Sequence, residues 1–136
     1  MANPGSQVPK AKEENTVDDA GEMQIFGKNY KGTRRNIWAF CKEEGSVGLH
    51  TVDIGIAPRI FGSDEYEYYT YVERQDADAL LRALSSNDSC IAAADNEGRS
   101  RILVLLKQRF GGSPTAATDF EKFAEAHALK WQRHVC

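Results

Sequence analysis

The chain has 136 residues and a mass of 15.1 kDa, the size of one domain. It is 41% hydrophobic, with two Trp, five Tyr and six Phe, so a packed core is within reach; no apolar run approaches the roughly 18 residues of a membrane-spanning helix. The formal net charge of −3 resides entirely in residues 1–22, where two lysines face five carboxylates, and a charge-balanced body lacks the one-sided basic excess that nucleic acid requires.

The opening segment, MANPGSQVPKAKEENTVDDAGE, contains no aromatic residue, Leu or Ile. It cannot bury enough apolar surface to offset its ordering entropy. Residues 1–22 are therefore expected to be a disordered tail and residues 23–136 a single domain. The N-terminus has no apolar core of a secretory signal. The three cysteines, Cys41, Cys90 and Cys136, form no CxxC and are odd in number. That argues for reduced thiols and a cytoplasmic setting.

Order is expected to begin near MQIFGKNYKGTRRNIWAFCKEE. Ile37, Trp38, Ala39, Phe40 and Cys41 are apolar on both strand parities, as in a strand buried on both faces or twisting across a sheet. EEGS supplies a turn. GLHTVDIG reads as a second strand, with His50, Val52 and Ile54 on one face and Leu49, Thr51 and Asp53 on the other. APRIFGSD is a loop, and EYEYYTYVE is a third strand, dense in residues that suit a pleated surface. Short connections between consecutive strands predict an antiparallel meander.

The period then becomes helical. Ala77, Leu80, Leu81 and Leu84 share one face, with Asp76 and Asp78 near the positive end of the dipole. SSNDSCIAAADNEG is a loop or a short extra turn. Ile102, Leu103, Leu106 and Phe110 mark a second helix, stopped by Gly111 and Gly112. Phe120, Phe123, Ala124 and His127 give a third helix its apolar stripe, with Thr118 and Glu121 spaced as a capping box. LKWQRHVC reads as a final strand. The fold class is α+β: an antiparallel sheet of three to four strands, an N-terminal meander plus a C-terminal strand, with about three helices packed on one face.

Alternation in the third strand puts Glu65, Glu67, Tyr69, Tyr71 and Glu73 on one face and Tyr66, Tyr68, Thr70 and Val72 on the other. The first set is either a solvated outer face, whose charges discourage edge pairing, or a docking face. In a docking face, tyrosine offers contact area at low entropic cost and carboxylates select a basic partner. Glu65 and Glu67 lie roughly 7 Å apart, a spacing within glycosidase range, but a convex strand face provides no cleft to separate their pKa values. His50 and Asp53 fall on opposite faces and do not form a dyad. His50 and His127 read as structural histidines, and Cys41 as a core thiol. Neither a metal site nor a cofactor is expected. Lys28, Lys31, Arg34 and Arg35, with Tyr30 and Trp38, could form an RNA-binding strip, but they read more readily as a solvated turn or a counterweight to the acidic stretch.

DIG, FGSDEYEY, DADALLRAL, ILVLLKQRF and DFEKFAEAHALKW together resemble small, largely uncharacterised bacterial α+β proteins, some of them similar to toxin-immunity proteins. The resemblance spans residues 48–131 and lies in the order of elements. It departs at AHAL, where such patterns often place a glycine before the last strand. It implies a partner-binding role. On this reading the chain is a non-enzymatic protein-binding module, an immunity-type inhibitor. Asp64, Glu65, Glu67, Tyr69, Tyr71 and Glu73 would cover a basic protein surface, such as the active site of a nuclease. The alternative is a small enzyme or ligand-binding domain with a pocket between sheet and helices, where His50, Asp53 and tyrosine hydroxyls supply polar groups. A homodimer pairing through the tyrosine strand is a third arrangement.

Overall fold

The computed structural model describes residues 17–18, 21–55, 65–85 and 96–136, with side chains from Arg101 onward in the last segment. Most of the expected tail, the loop that carries Asp64 and the segment that carries Cys90 lie outside these residues.

Among the described residues the fold is α+β. Five strands, β1 (Glu22–Tyr30), β2 (Thr33–Cys41), β3 (Val47–Gly55), β4 (Glu65–Val72) and β5 (Trp131–Val135), form one open antiparallel sheet. Three helices, α1 (Arg74–Ser85), α2 (Asn96–Phe110) and α3 (Ala116–Ala126), are inserted between β4 and β5. Strand order follows chain order, β1-β2-β3-β4-β5, so each of the first three pairings joins consecutive strands.

The sheet has one more strand than the upper expectation. β1 reads poorly as a strand because Gly27, Lys28 and Asn29 break its alternation, and its register slips between Gln24 and Phe26. It begins at Glu22, the residue placed at the end of the expected tail, and Val17 bridges back to Met23. The β1–β2 turn is two residues long, and Lys31 (φ 55°) and Gly32 (φ 77°) both occupy the left-handed region. That conformation matches the twist of a tight hairpin. Gly45, with φ 110°, does the same for the EEGS turn.

Period-two alternation sorts the central strands into two faces. Ile37, Ala39, Val47, Leu49 and Val72 point to one side and are at or near zero exposure. There they meet Leu80 and Leu81 of α1, Ile102 and Leu106 of α2, and Phe120 of α3. α2 lies across β1 and β2, α3 across β3 to β5, and α1 against α2 and β4. Phe110 packs edge-on against Phe120 and Phe123, each at 5.7 Å. Gly111 and Gly112 end α2 as expected, and the Gly112 N–H donates to the Ile25 carbonyl.

Ion pairs lock the helical layer onto the sheet. Arg35 grips Asp53 with two hydrogen bonds of 2.7 and 2.8 Å and donates a third to the Pro114 carbonyl. Glu121 of α3 accepts from the Thr70 hydroxyl at 2.9 Å and from Arg133 at 3.0 and 2.6 Å. The capping box at Thr118 does not form: α3 starts two residues earlier at Ala116, and Glu121 faces the sheet instead. Asp119, not Glu121, receives the hydroxyls of Ser113 and Thr115 at the helix start. His127 caps the far end of α3. It is exposed and leans on the Phe123 ring rather than sitting in the apolar stripe.

Candidate functional site: the open face of the sheet

Three helices cover one face of the sheet; the other face is not covered by any described element. Register alone determines what stands on it. One cross-strand row runs Gln24, Trp38, His50, Tyr69, His134, and the next runs Glu22, Phe40, Gly48, Tyr71, Gln132. On the far side of the first row, Asn36, Val52 and Glu67 form a third.

His50 stands at the centre. Its ring lies flat against Tyr69, with centroids 4.2 Å apart and planes 6° from parallel, and Trp38 leans on its other flank at 5.3 Å. Its nitrogens are both engaged: Nε2 with Glu67 at 2.6 Å and Nδ1 with Glu22 at 3.0 Å. The two carboxylates approach from rows on either side: Glu67 along the diagonal from neighbouring β4, and Glu22 from β1, reaching across β2. A neutral imidazole has only one N–H, so it would turn a lone pair toward one of them. Imidazolium satisfies both. Burial pulls the His50 pKa down, yet the hydrogen bonds and charges of Glu22 and Glu67 outweigh it and leave the pKa above its ordinary value. The Tyr69 phenol is raised by its own burial and then by the same two carboxylates. It therefore stays protonated.

Beside this cluster lies an open cavity of about 330 Å³ lined by Phe40, Lys42, Glu44, Ser46, Tyr69, Tyr71, His134 and Cys136. Next to it the row between Phe40 and Tyr71 carries only Gly48, which lets β4 pack close, since a Cβ there would run into the Thr70 carbonyl oxygen and the Tyr71 Cα. Phe40 is only 2% exposed although it faces away from the helices, because Tyr69 meets it edge-on at 5.5 Å. Glu44, held below the usual carboxylate range by the Ser46 hydroxyl at 2.5 Å, marks the rim.

The residues singled out in the sequence divide as follows. Glu67, Tyr69 and Tyr71 share the open face and lie within this cluster or its cavity. Glu65 is on the same face at the exposed start of β4, opposite Ile54. Glu73 lies just beyond β4, where it accepts from Gln75 at 3.3 Å, and does not join the cluster. Asp64 lies outside the described residues. Tyr68, Thr70 and Val72 are buried under the helices as their parity requires, but Tyr66 on that side is 48% exposed, at the strand end. His50 and Asp53 do face opposite sides: Asp53 is consumed by Arg35, and His50 is away from the helices. Cys41 is half-buried at the end of β2 rather than enclosed in the core.

Sequence reasoning did not single out Glu22, Trp38 in this role, Phe40 or Lys42. Glu22 was hidden by the acidic segment to which it belongs. Its approach to His50 depends on the β1–β2 register, which no local pattern displays. The basic run at the hairpin is split by parity: Lys28 and Arg35 lie on the helical side and Arg34 on the other. Among the described residues no group of three or more His, Cys, Asp or Glu side chains is arranged to hold a metal ion, and no helix is long and apolar enough to cross a membrane.

Against known proteins, no family model, no curated protein and no solved structure matches the chain.

Proposed function

We propose that the protein is a non-enzymatic binding module that docks a basic protein partner on the open face of its sheet, as an immunity-type inhibitor docks on its toxin. The observation that carries this reading is the clamp at His50. Both nitrogens are engaged by carboxylates and both flanks by aromatic rings, so the imidazole is fixed in place rather than poised to exchange a proton. Tyr69, with its raised pKa, is likewise a poor proton donor in catalysis and a good rigid contact. Rigid aromatic area at the centre with carboxylates at the margin is the composition expected of an interface anchor. Glu44, Glu65 and Glu67 would occupy positions that a basic partner keeps for phosphate or another anion.

The pairing of β4 with β3 on one side and β5 on the other leaves its ladder complete along the paired residues. A partner therefore meets the tyrosines through side chains. The same holds for a second copy of this chain.

The test compares three tagged proteins in the source cell: wild type, Glu65→Lys/Glu67→Lys, and Asp78→Lys on the exposed side of α1. One basic protein should be retained at one-to-one by wild type and Asp78→Lys and lost with the double variant, each variant first shown to be folded by circular dichroism. Retention of that protein by a folded double variant would falsify the assignment of the surface.

A further inference from the structure

The cavity beside Tyr69 already contains a positive charge. Lys42 leaves the end of β2, and its ammonium nitrogen lies 5.0 Å from the centroid of the Tyr69 ring and 5.6 Å from that of Phe40. Both distances are within cation–π reach. The two rings stand at 78° to one another, so their faces form a corner. Tyr71 lines the same space. The Glu44 carboxylate, held ionised by Ser46, adds negative charge at the rim. At about 330 Å³ the space is at the low end of ligand pockets, sized for a side chain rather than a cofactor. Aromatic faces are negative, and with Glu44 they disfavour an anion. The Lys42 side chain is exposed, and its ammonium still lies within cation–π reach of both rings, so the corner suits a cation.

We infer that this cavity is a receptor for a single cationic side chain of the docked partner, an arginine or a lysine, and that Lys42 is its resident competitor. The inference rests on the docking reading above and adds where the partner's key residue goes. When the partner's cation enters, Lys42 swings into solvent on its four-carbon stem. Occupation of the corner by Lys42 in the free protein lowers affinity for every cation alike, and so favours partners that supply additional contacts along Glu65 and Glu67.

The experiment is a titration of nitrogen-15-labelled protein with acetyl-triarginine-amide, followed by amide chemical shifts. The neutral isostere, acetyl-tricitrulline-amide, is run beside it at constant salt. The triarginine peptide should move the resonances of Phe40, Gly48, Tyr69 and Tyr71, and the tricitrulline peptide should not. Lys42→Ser, at an exposed position, should bind the peptide about 2–5-fold more tightly, the equivalent of one exposed cation–π contact. Lys42→Arg, which keeps a competing cation, should bind as wild type does. Equal or weaker binding by Lys42→Ser, or equal binding of the citrulline peptide, overturns the inference. If peptide shifts appear only around Glu65 and Glu67 and are the same in wild type and Lys42→Ser, the cavity assignment fails while the docking face stands. If no resonance on the open face moves in either protein, both fail.

Discussion

At His50 the ring nitrogens meet Glu67 at 2.6 Å and Glu22 at 3.0 Å, so β1 and β4, which are not neighbours in the sheet, are tied across β2 and β3 through one imidazolium. The groups that face it are those two carboxylates, the Tyr69 phenol and the Trp38 indole. Because its folded pKa is raised, the native state holds the proton more tightly than the unfolded chain does. The stability His50 contributes is therefore complete below the ordinary value of 6.5 and is lost as pH rises through the folded value. Thermal melts of wild type and His50→Gln should differ most below pH 6.5, and the gap should narrow as pH rises above it. A gap that is constant with pH would show that His50 acts by packing alone. Lys42 offers the opposite case: an exposed side chain whose contacts are with ring faces, and whose removal is expected to cost the fold little.

Among the elements, β4 and the helices show in the period of their buried faces, and β2 in an apolar run on both parities, with Phe40 buried on the open face as well as Ile37 and Ala39 under the helices. Tyr68, Thr70 and Val72 show the period best, with zero or near-zero exposure under the helices while Tyr69 and Tyr71 face away. β1 was not legible, since its turn is Lys-Gly rather than the Asn-Gly or Asp-Gly that signals a hairpin, and its polar middle breaks alternation. The site was half legible for the same reason: Glu67, Tyr69 and Tyr71 follow from the parity of one strand, whereas Glu22, Phe40 and Lys42 require the register of three. Gly48 is the element-scale device that the sequence conceals most thoroughly, because a strand glycine ordinarily only weakens the strand. Here it permits the close approach of β3 to Tyr71. Gly48→Ala should lower stability by about 3 kcal/mol, the upper end of overpacking costs, because the obstructing atoms include backbone that cannot rotate away. The midpoint of urea unfolding measures it, and a loss below about 0.5 kcal/mol, the range of ordinary surface changes, would show that the two strands part easily.

For the molecule as a whole, the last strand completes the sheet, and one carboxylate ties that strand and β4 to the helical layer. Glu121 accepts from Thr70, which is fully buried, and from Arg133 of β5, whose guanidinium also lies 4.4 Å from the Tyr68 ring centroid. Glu121→Ala strands a buried hydroxyl and should cost about 1–3 kcal/mol. Hydrogen exchange should show the loss unevenly: amides of β5 should open faster while those at the β2–β3 pairing keep their protection. Uniform acceleration would mean that β5 is held by other contacts. The placement of β5 has a consequence beyond stability. Four strands of the meander pair through local connections, whereas β5 pairs with β4 across three intervening helices, Gln132 opposite Tyr71, and a pairing of such long range is expected to form late. Until then the strand richest in tyrosine is an unprotected edge, with β-favouring residues on both faces, and such edges template aggregation. The C-terminal strand thus guards the rest of the sheet during folding: a chain that loses it would tend to self-associate through the strand it uses for recognition.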